Sequence, residues 1–217
     1  MAPPQHQLFC AVFGDVIGSR KIVGRDSLQR QILLCLDAVN SRFAAELASP
    51  FRFVAGDEVR GLLSDQSPSY QVIRALQDGL RPYRMRFAAG IGELTTDLGR
   101  DVAALDGPAF HRAAEAMLFL KSPKRSHERT VYYLSEARER DRVVNSLAFL
   151  VDSIRATWTD RERERADLLS SGLTLLEVGQ RLGVSHQAIR QSMMKASYRA
   201  VLDGETLIDS LLAEGNV

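Results

Sequence analysis

The sequence has almost no cysteine, no long apolar run and no excess of either charge. Only two cysteines, Cys10 and Cys35, stand among 217 residues, and both fall inside apolar patterns. They read as buried free thiols of a cytoplasmic protein, not as a disulfide or a metal pair. Uninterrupted apolar runs stop at six residues, as in Leu8–Phe13, against the roughly 20 that a membrane-spanning helix needs. The start, MAPPQHQ, has no basic stretch leading into an apolar one, so no secretory leader is expected. Lys and Arg number 28, Asp and Glu 27, a net charge of +1. That balance excludes a polybasic membrane binder and a wholly acidic chain. No repeat or low-complexity linker is visible. What is present is an ordinary globular share of apolar residues, 45%, which excludes wholesale disorder. The length fits one large domain, or a medium one with a small one.

Along the chain, LFCAVF (Leu8–Phe13) is a continuous apolar run stopped by Gly14-Asp15, the pattern of a strand buried on both faces. Leu28, Ile32, Leu36, Val39, Phe43 and Leu47 then recur at helical spacing, with Ser49-Pro50 as the expected stop. Phe51–Ala55 and Val59–Leu63 flank Gly56-Asp57-Glu58 and predict a hairpin. Tyr70, Ile73, Leu76 and Leu80 mark a second helix, and Met85–Gly92 another strand. Residues 93–108 read as a loop, Pro108 opens a third helix, and Thr130–Leu134 forms a last strand. The order β-α-β-β-α-β-α-β predicts an α+β domain over 1–134 with a ferredoxin-like palm and helices on one face. A connector helix is expected over 135–157, and an all-α domain with a tail helix over 158–217.

In that last domain, Thr159 and Glu162, and again Thr174 and Glu177, have capping-box spacing. Gly179 lies in the second of these helices, Gly183 at a turn, and Ile189 in the core of a following helix, which is the spacing of a helix-turn-helix. The stretch GLTLLEVGQRLGVSHQAIRQSMMKA resembles the fourth region of bacterial sigma factors and their regulator relatives, GLTxxEIAxxLGVSxxxVxxxxxxA. The resemblance implies that Ser185, His186, Gln187, Arg190 and Gln191 face the major groove of double-stranded DNA. Arg and Gln are the types that pair bidentately with guanine and adenine edges, and Lys195 and Arg199 are candidates for phosphate. Residues 155–200 carry eight basic and five acidic side chains, while 201–217 add four acids and no base. The module is therefore nearly neutral, which favours a homodimer presenting two recognition helices. The bland alternative is a helical hairpin that packs on its own protein.

Two acidic motifs stand at strand ends, Asp15 and Asp57-Glu58. If the strands are neighbours, Asp15 and Asp57 converge at one sheet edge. Such a pair suits Mg²⁺, which takes one or two carboxylates plus phosphate oxygens. Gly18, Ser19 and Arg20 follow Asp15 and offer backbone N–H groups and a cation to phosphates. Lys121, Lys124 and Arg125 form a second basic group. The bland alternative is two Gly-Asp turns and a solvated basic loop.

With the strand order, these residues resemble the palm shared by class III nucleotide cyclases and diguanylate cyclases, where one Asp ends the first strand and a second acid sits in the central hairpin. The resemblance implies two-metal chemistry on a nucleoside triphosphate, with Asp15 and Asp57 as metal ligands and Lys121 on phosphate. Glu58 beside Asp57 is a candidate to steady a ligand without touching the metal or, in an enzyme, to act as general base. GPAFHRAAEAM is similar to the cyclase helix GxxVNxAARM, with His111 at the Asn position and Glu115 at the Arg position. Those changes argue against a cyclase reaction and leave nucleotide binding open.

Over its whole length the chain resembles the bacterial SatD family. GDVIGSR, GDEVRGLL, GIGELTT with DGPAFHRAAEAM, and WTDRERE carry the likeness. Three functions stay open from the sequence. The first is a DNA-binding regulator whose N-terminal domain binds a nucleotide with Mg²⁺. The second is a nucleotidyl-transferring or nucleotide-hydrolysing enzyme with a DNA-binding tail. The third is a degenerate palm used only for dimerisation.

Overall fold

The computed structural model describes residues 7–19, 22, 24–55, 58–99, 101–122 and 129–214. The chain divides into two compact units, Met1–Ser146 with Ile208–Val217, and Leu147–Leu207.

The first unit runs β1 (Phe9–Val16), α1 (Arg25–Arg42), β2 (Leu47–Ala55), β3 (Glu58–Leu63), α2 (Ser69–Gly79), β4 (Met85–Gly92), a 3-10 turn (Val102–Ala104), α3 (Pro108–Lys121), β5 (Val131–Leu134) and the start of α4 (Arg138–Ala156). The expected element order is realised as a five-stranded mixed sheet, β2-β3-β1-β4-β5. Among the described residues only β4 and β5 pair in parallel. The apolar run at the start becomes the central strand, buried at every position.

The helices do not share one face, as the ferredoxin-like reading expected. Ser69 of α2 meets Tyr133 on the face that carries Cys10 and Val12. The opposite face carries Phe9, Ala11, Phe13, Leu62 and Ala88, and α3 covers it with Ala109, Phe110, Ala113, Ala116, Met117 and Leu120. That row of apolar side chains must be buried, and the crossover between the parallel strands β4 and β5 supplies the helix that does it.

The first helix also ends earlier than its spacing predicts. It stops at Arg42, and Leu47–Pro50 belong to β2. The Asn40 side chain accepts from Phe51 N at 2.7 Å and donates to Phe51 O at 2.9 Å, which docks the helix end on the strand. Pro50 is tolerated because β2 is an edge strand. At the other edge Asn145 does the work of a further strand. Its amide accepts from Tyr133 N at 2.7 Å and donates to Tyr133 O at 2.9 Å.

At Gly90 the packing between β4 and α3 is close. A Cβ at Gly90 would stand 2.1 Å from Ala109 O and 2.2 Å from Ala113 N. Both cysteines are free and buried. Burial pushes the Cys10 thiol up to about 12 and the Cys35 thiol to about 11, so neither is a reactive thiolate at neutral pH.

The second unit continues α4 and adds α5 (Asp160–Ser170), α6 (Leu175–Leu182), α7 (His186–Lys195) and the start of α8 (Tyr198–Ala213). Both expected capping boxes are formed, Thr159 with Glu162 and Thr174 with Glu177. These bonds favour the carboxylates and lower both glutamate pKa values. The core gathers Val151, Trp158, Ala166, Val178, Ile189, Met193, Ala196 and Val201. Trp158 Nε1 donates to Ala196 O at 2.7 Å. Among the described residues no helix is long and apolar enough to cross a membrane.

Two outcomes follow from this packing. Gly90→Ala forces α3 off the sheet, because backbone atoms and not a flexible side chain meet the new methyl. The expected loss is about 3 kcal/mol, the upper part of the overpacking range, read by urea denaturation. Asp209, in the part of α8 that belongs to the first unit, accepts from Gln71 Nε2 at 3.1 Å. Burial raises its pKa, partly offset by that bond. Its contribution to stability is therefore fullest below the ordinary Asp range near about 3.9 and is lost as pH rises through the folded value. Asp209→Asn is expected to raise the melting temperature at pH 7 and to leave it nearly unchanged at pH 3; an equal effect at both would assign the change to packing instead.

Candidate functional site

The register of the central strands brings charge together at one end of the sheet. Asp15 lies opposite Glu58 of β3 and opposite Arg86 of β4. Directly opposed residues of antiparallel strands share a face, and this row is on the face that α3 covers. Lys121 is the last residue of α3. Its Nζ stands 2.8 Å from Asp15 Oδ1, and Arg86 stands 3.3 Å from Asp15 Oδ2. The Asp15 side chain is only 11% exposed, whereas Lys121 is 44% exposed. Glu58 is held in the same way, by Arg60 Nε at 2.8 Å. The Arg60 guanidinium lies over the Phe13 ring, 4.4 Å from its centroid.

Of the residues expected at this site, the structure thus joins Asp15 with Lys121 and sets Glu58 beside them. Gly18 and Ser19 lie in the turn after β1, with Gly18 in the left-handed region at φ 71°. Arg20, Asp57, Lys124 and Arg125 lie outside the described residues. Arg86 and Arg60 were not anticipated. The signal available for Arg86 was a charge at the second position of the otherwise apolar strand Met85–Gly92.

As a donor set, Asp15 and Glu58 offer hard carboxylate oxygens from directly paired positions, the type that Mg²⁺ takes alongside phosphate oxygens and water. Among the described residues no group of three His, Cys, Asp or Glu side chains converges. Both carboxylates are already paired, Asp15 with Lys121 and Arg86 and Glu58 with Arg60. His111 and Glu115 are on α3, and His111 Nε2 lies 2.9 Å from Asp106 Oδ1 on the surface.

In the second unit α6 and α7 are joined by the turn Gly183-Val184-Ser185. Gly183 takes the left-handed conformation at φ 67° and caps α6. Val184 N donates to Gly179 O at 2.9 Å. A Cβ at Gly179 would stand 2.7 Å from Val184 O and 3.2 Å from His186 N, so the small residue admits the turn itself. Ser185 caps α7 by accepting from Ala188 N at 3.2 Å. Ile189 and Met193 are buried, while Ser185, His186, Gln187, Arg190, Gln191 and Lys195 are all exposed. Arg199, on α8, is ion-paired with Asp203 at 3.0 Å.

The protein-family model described as the SatD family matches residues 9–199. The chain belongs to the SatD family. No curated protein matches its sequence. Among solved structures this SatD-family chain is similar to a dimeric guanylyl cyclase domain of the RhoGC fusion protein from the aquatic fungus Blastocladiella emersonii, at 12% identity over 59% of this chain and 79% of that one, TM-score 0.42. It is similar also to a bacterial light-regulated adenylyl cyclase, at 14% identity over 60% and 77%, TM-score 0.41, and to the guanylyl cyclase Cya2, at 11% identity over 59% and 75%, TM-score 0.37. At these scores the likeness carries no functional weight.

The ion pairs on Asp15 have a direct test in stability. Asp15→Ala leaves Arg86 and Lys121 without their shared acceptor and is expected to cost about 1–3 kcal/mol in urea denaturation. Glu136→Ala removes the acceptor of another arginine, Arg112, from a side chain that is 87% exposed, and is expected to cost under about 1 kcal/mol.

Proposed function

We propose that the protein is a DNA-binding transcriptional regulator whose N-terminal unit binds a nucleotide together with Mg²⁺. The observation that carries the DNA half is the face of α7. A short capped turn presents Ser185, His186, Gln187, Arg190 and Gln191 to solvent, while Ile189 and Met193 hold the helix in the core. Arg190 and Gln187 would read guanine and adenine edges, and Lys195 would hold a phosphate. Arg199 would do so only after leaving Asp203. A homodimer would set two such helices against two half-sites, and two buried free thiols suit a cytoplasmic setting.

In the N-terminal unit, Asp15 and Asp57 would hold Mg²⁺, with Gly18, Ser19, Arg20, Lys121, Lys124 and Arg125 on the phosphates. The ion would neutralise phosphate charge there. Glu58, opposite Asp15 in the sheet, favours a second reading. In it Glu58 is a general base and the unit is a nucleotide-hydrolysing or nucleotidyl-transferring enzyme with a DNA-binding tail. Labelled ATP and GTP incubated with the protein and Mg²⁺ or Mn²⁺ separate the two, since only the enzyme forms product.

The test of the regulator begins with selection of a binding site from random duplex DNA, followed by anisotropy titrations. Arg190→Ala and Gln187→Ala are each expected to weaken the selected site by about 1–3 kcal/mol. Lys195→Ala is expected to weaken all sequences alike and to flatten the salt dependence. Addition of Mg²⁺ with ATP or GTP should shift DNA affinity by about 5–150-fold, as allosteric coupling commonly does, and Asp57→Asn should abolish the shift. Absence of DNA binding at every salt concentration would return α7 to a purely structural role.

A further inference from the structure

Asp15 and Glu58 already have cations of their own. Each oxygen of Asp15 faces one, Lys121 Nζ at 2.8 Å and Arg86 at 3.3 Å, and Glu58 has Arg60 at 2.8 Å. A bare divalent ion arriving here must displace an ammonium or a guanidinium from a nearly buried carboxylate. A bare phosphate must likewise draw Lys121 or Arg86 away from Asp15. A phosphate alone that draws Lys121 away leaves one oxygen of the nearly buried Asp15 without its partner, which is costly where water is scarce, and a metal alone leaves the freed Lys121 beside a second cation.

We propose that the site exchanges ion pairs and takes a divalent metal and a polyphosphate only as a pair. The metal occupies the carboxylate that Lys121 leaves, and Lys121 moves to a phosphate oxygen. This deepens the nucleotide reading above and rests on it. Lys121 is the exchanging group, because it ends a helix and is 44% exposed. Arg60 is pinned on the Phe13 ring, and Arg86 is fixed in strand register with Asp15. The two ligands therefore favour each other, and by linkage the effect is reciprocal.

Lys121 then has effects of opposite sign on the two ligands, which neither a plain phosphate contact nor a structural lysine would show. The experiment measures Mn²⁺ alone by its EPR signal, and fluorescent ATP and GTP analogues with and without Mn²⁺, on the full chain. Wild type should bind the analogue about 5–150-fold more tightly with Mn²⁺ than without. Lys121→Met should bind Mn²⁺ alone more tightly than wild type and the Mn²⁺–nucleotide pair more weakly. Asp15→Asn, which frees Lys121 while keeping the side-chain shape, should bind the metal-free nucleotide more tightly and lose Mn²⁺. Mn²⁺ affinity unchanged or lowered in Lys121→Met overturns the exchange and leaves the nucleotide reading standing. A wild type that binds neither analogue under any condition overturns both.

Discussion

Helix α3 lies against β4 with no side chain between them at Gly90, and the geometry of the charged row depends on that contact. Ala109 O and Ala113 N occupy the space a Cβ would need. Backbone meets backbone, so the height of the helix above the sheet is fixed by hard contact and not by adaptable packing. Lys121 is eight residues beyond Ala113, about 12 Å along the helix, which carries it to the end of β1. Were α3 held off by one methyl, the 2.8 Å contact between Lys121 and Asp15 would lengthen. Gly92 extends the same close approach, since a Cβ there would meet Ala109 N at 2.9 Å.

That contact explains why a carboxylate can sit on the central strand of a covered sheet. Asp15 is 8% exposed, and an ionised carboxylate so buried requires partners. Arg86 comes from strand register and Lys121 from helix length, so two independent constraints converge on one group. The same economy appears at Asp141, whose two oxygens accept from Ser135 N and Ser135 Oγ at 2.6 and 2.7 Å. The difference is mobility. Ser135 and Asp141 are both buried and lock the chain after β5, whereas Lys121 reaches solvent and can leave.

Local signals in the sequence proved legible, and those that depend on distant partners did not. A six-residue apolar run is compatible with little besides a strand covered on both faces, and it became β1. The two capping boxes involve residues three apart and formed as expected. The end of α1 is ambiguous in the sequence because Leu47 continues a helical spacing, while Leu47, Ser49 and Phe51 equally satisfy strand alternation. The choice was made by Asn40 binding the Phe51 backbone. Asp15 was legible as an acid closing a strand. Arg86 was not, since its meeting with Asp15 requires the β1–β4 register, which no local pattern encodes. The face taken by α3 has a local signal: Gly90 and Gly92 stand in β4, and Ala109 and Ala113 in the helix, small residues on both sides of one contact.

The near-neutral charge of the C-terminal region looks unfavourable for a polyanionic partner until its distribution is considered. Between Val178 and Leu202 there are four basic residues, Arg181, Arg190, Lys195 and Arg199, and no acid. Two of the four tail acids are engaged by cations outside α7. Asp203 holds Arg199 at 3.0 Å, and Glu205 holds Arg155 at 3.3 Å. Asp209 belongs to the first unit and accepts from Gln71. Charges separated by more than about 8 Å are largely screened at physiological salt, so a partner at α7 responds to the local set and not to the sum. Arg190 and Lys195 are the cations of α7, and Lys195 is near enough to Glu162 to help lower that carboxyl's pKa, after its bonds to Thr159. On the proposed regulator reading, such a sparse set would suit base edges better than a dense basic patch, which binds phosphate without regard to sequence.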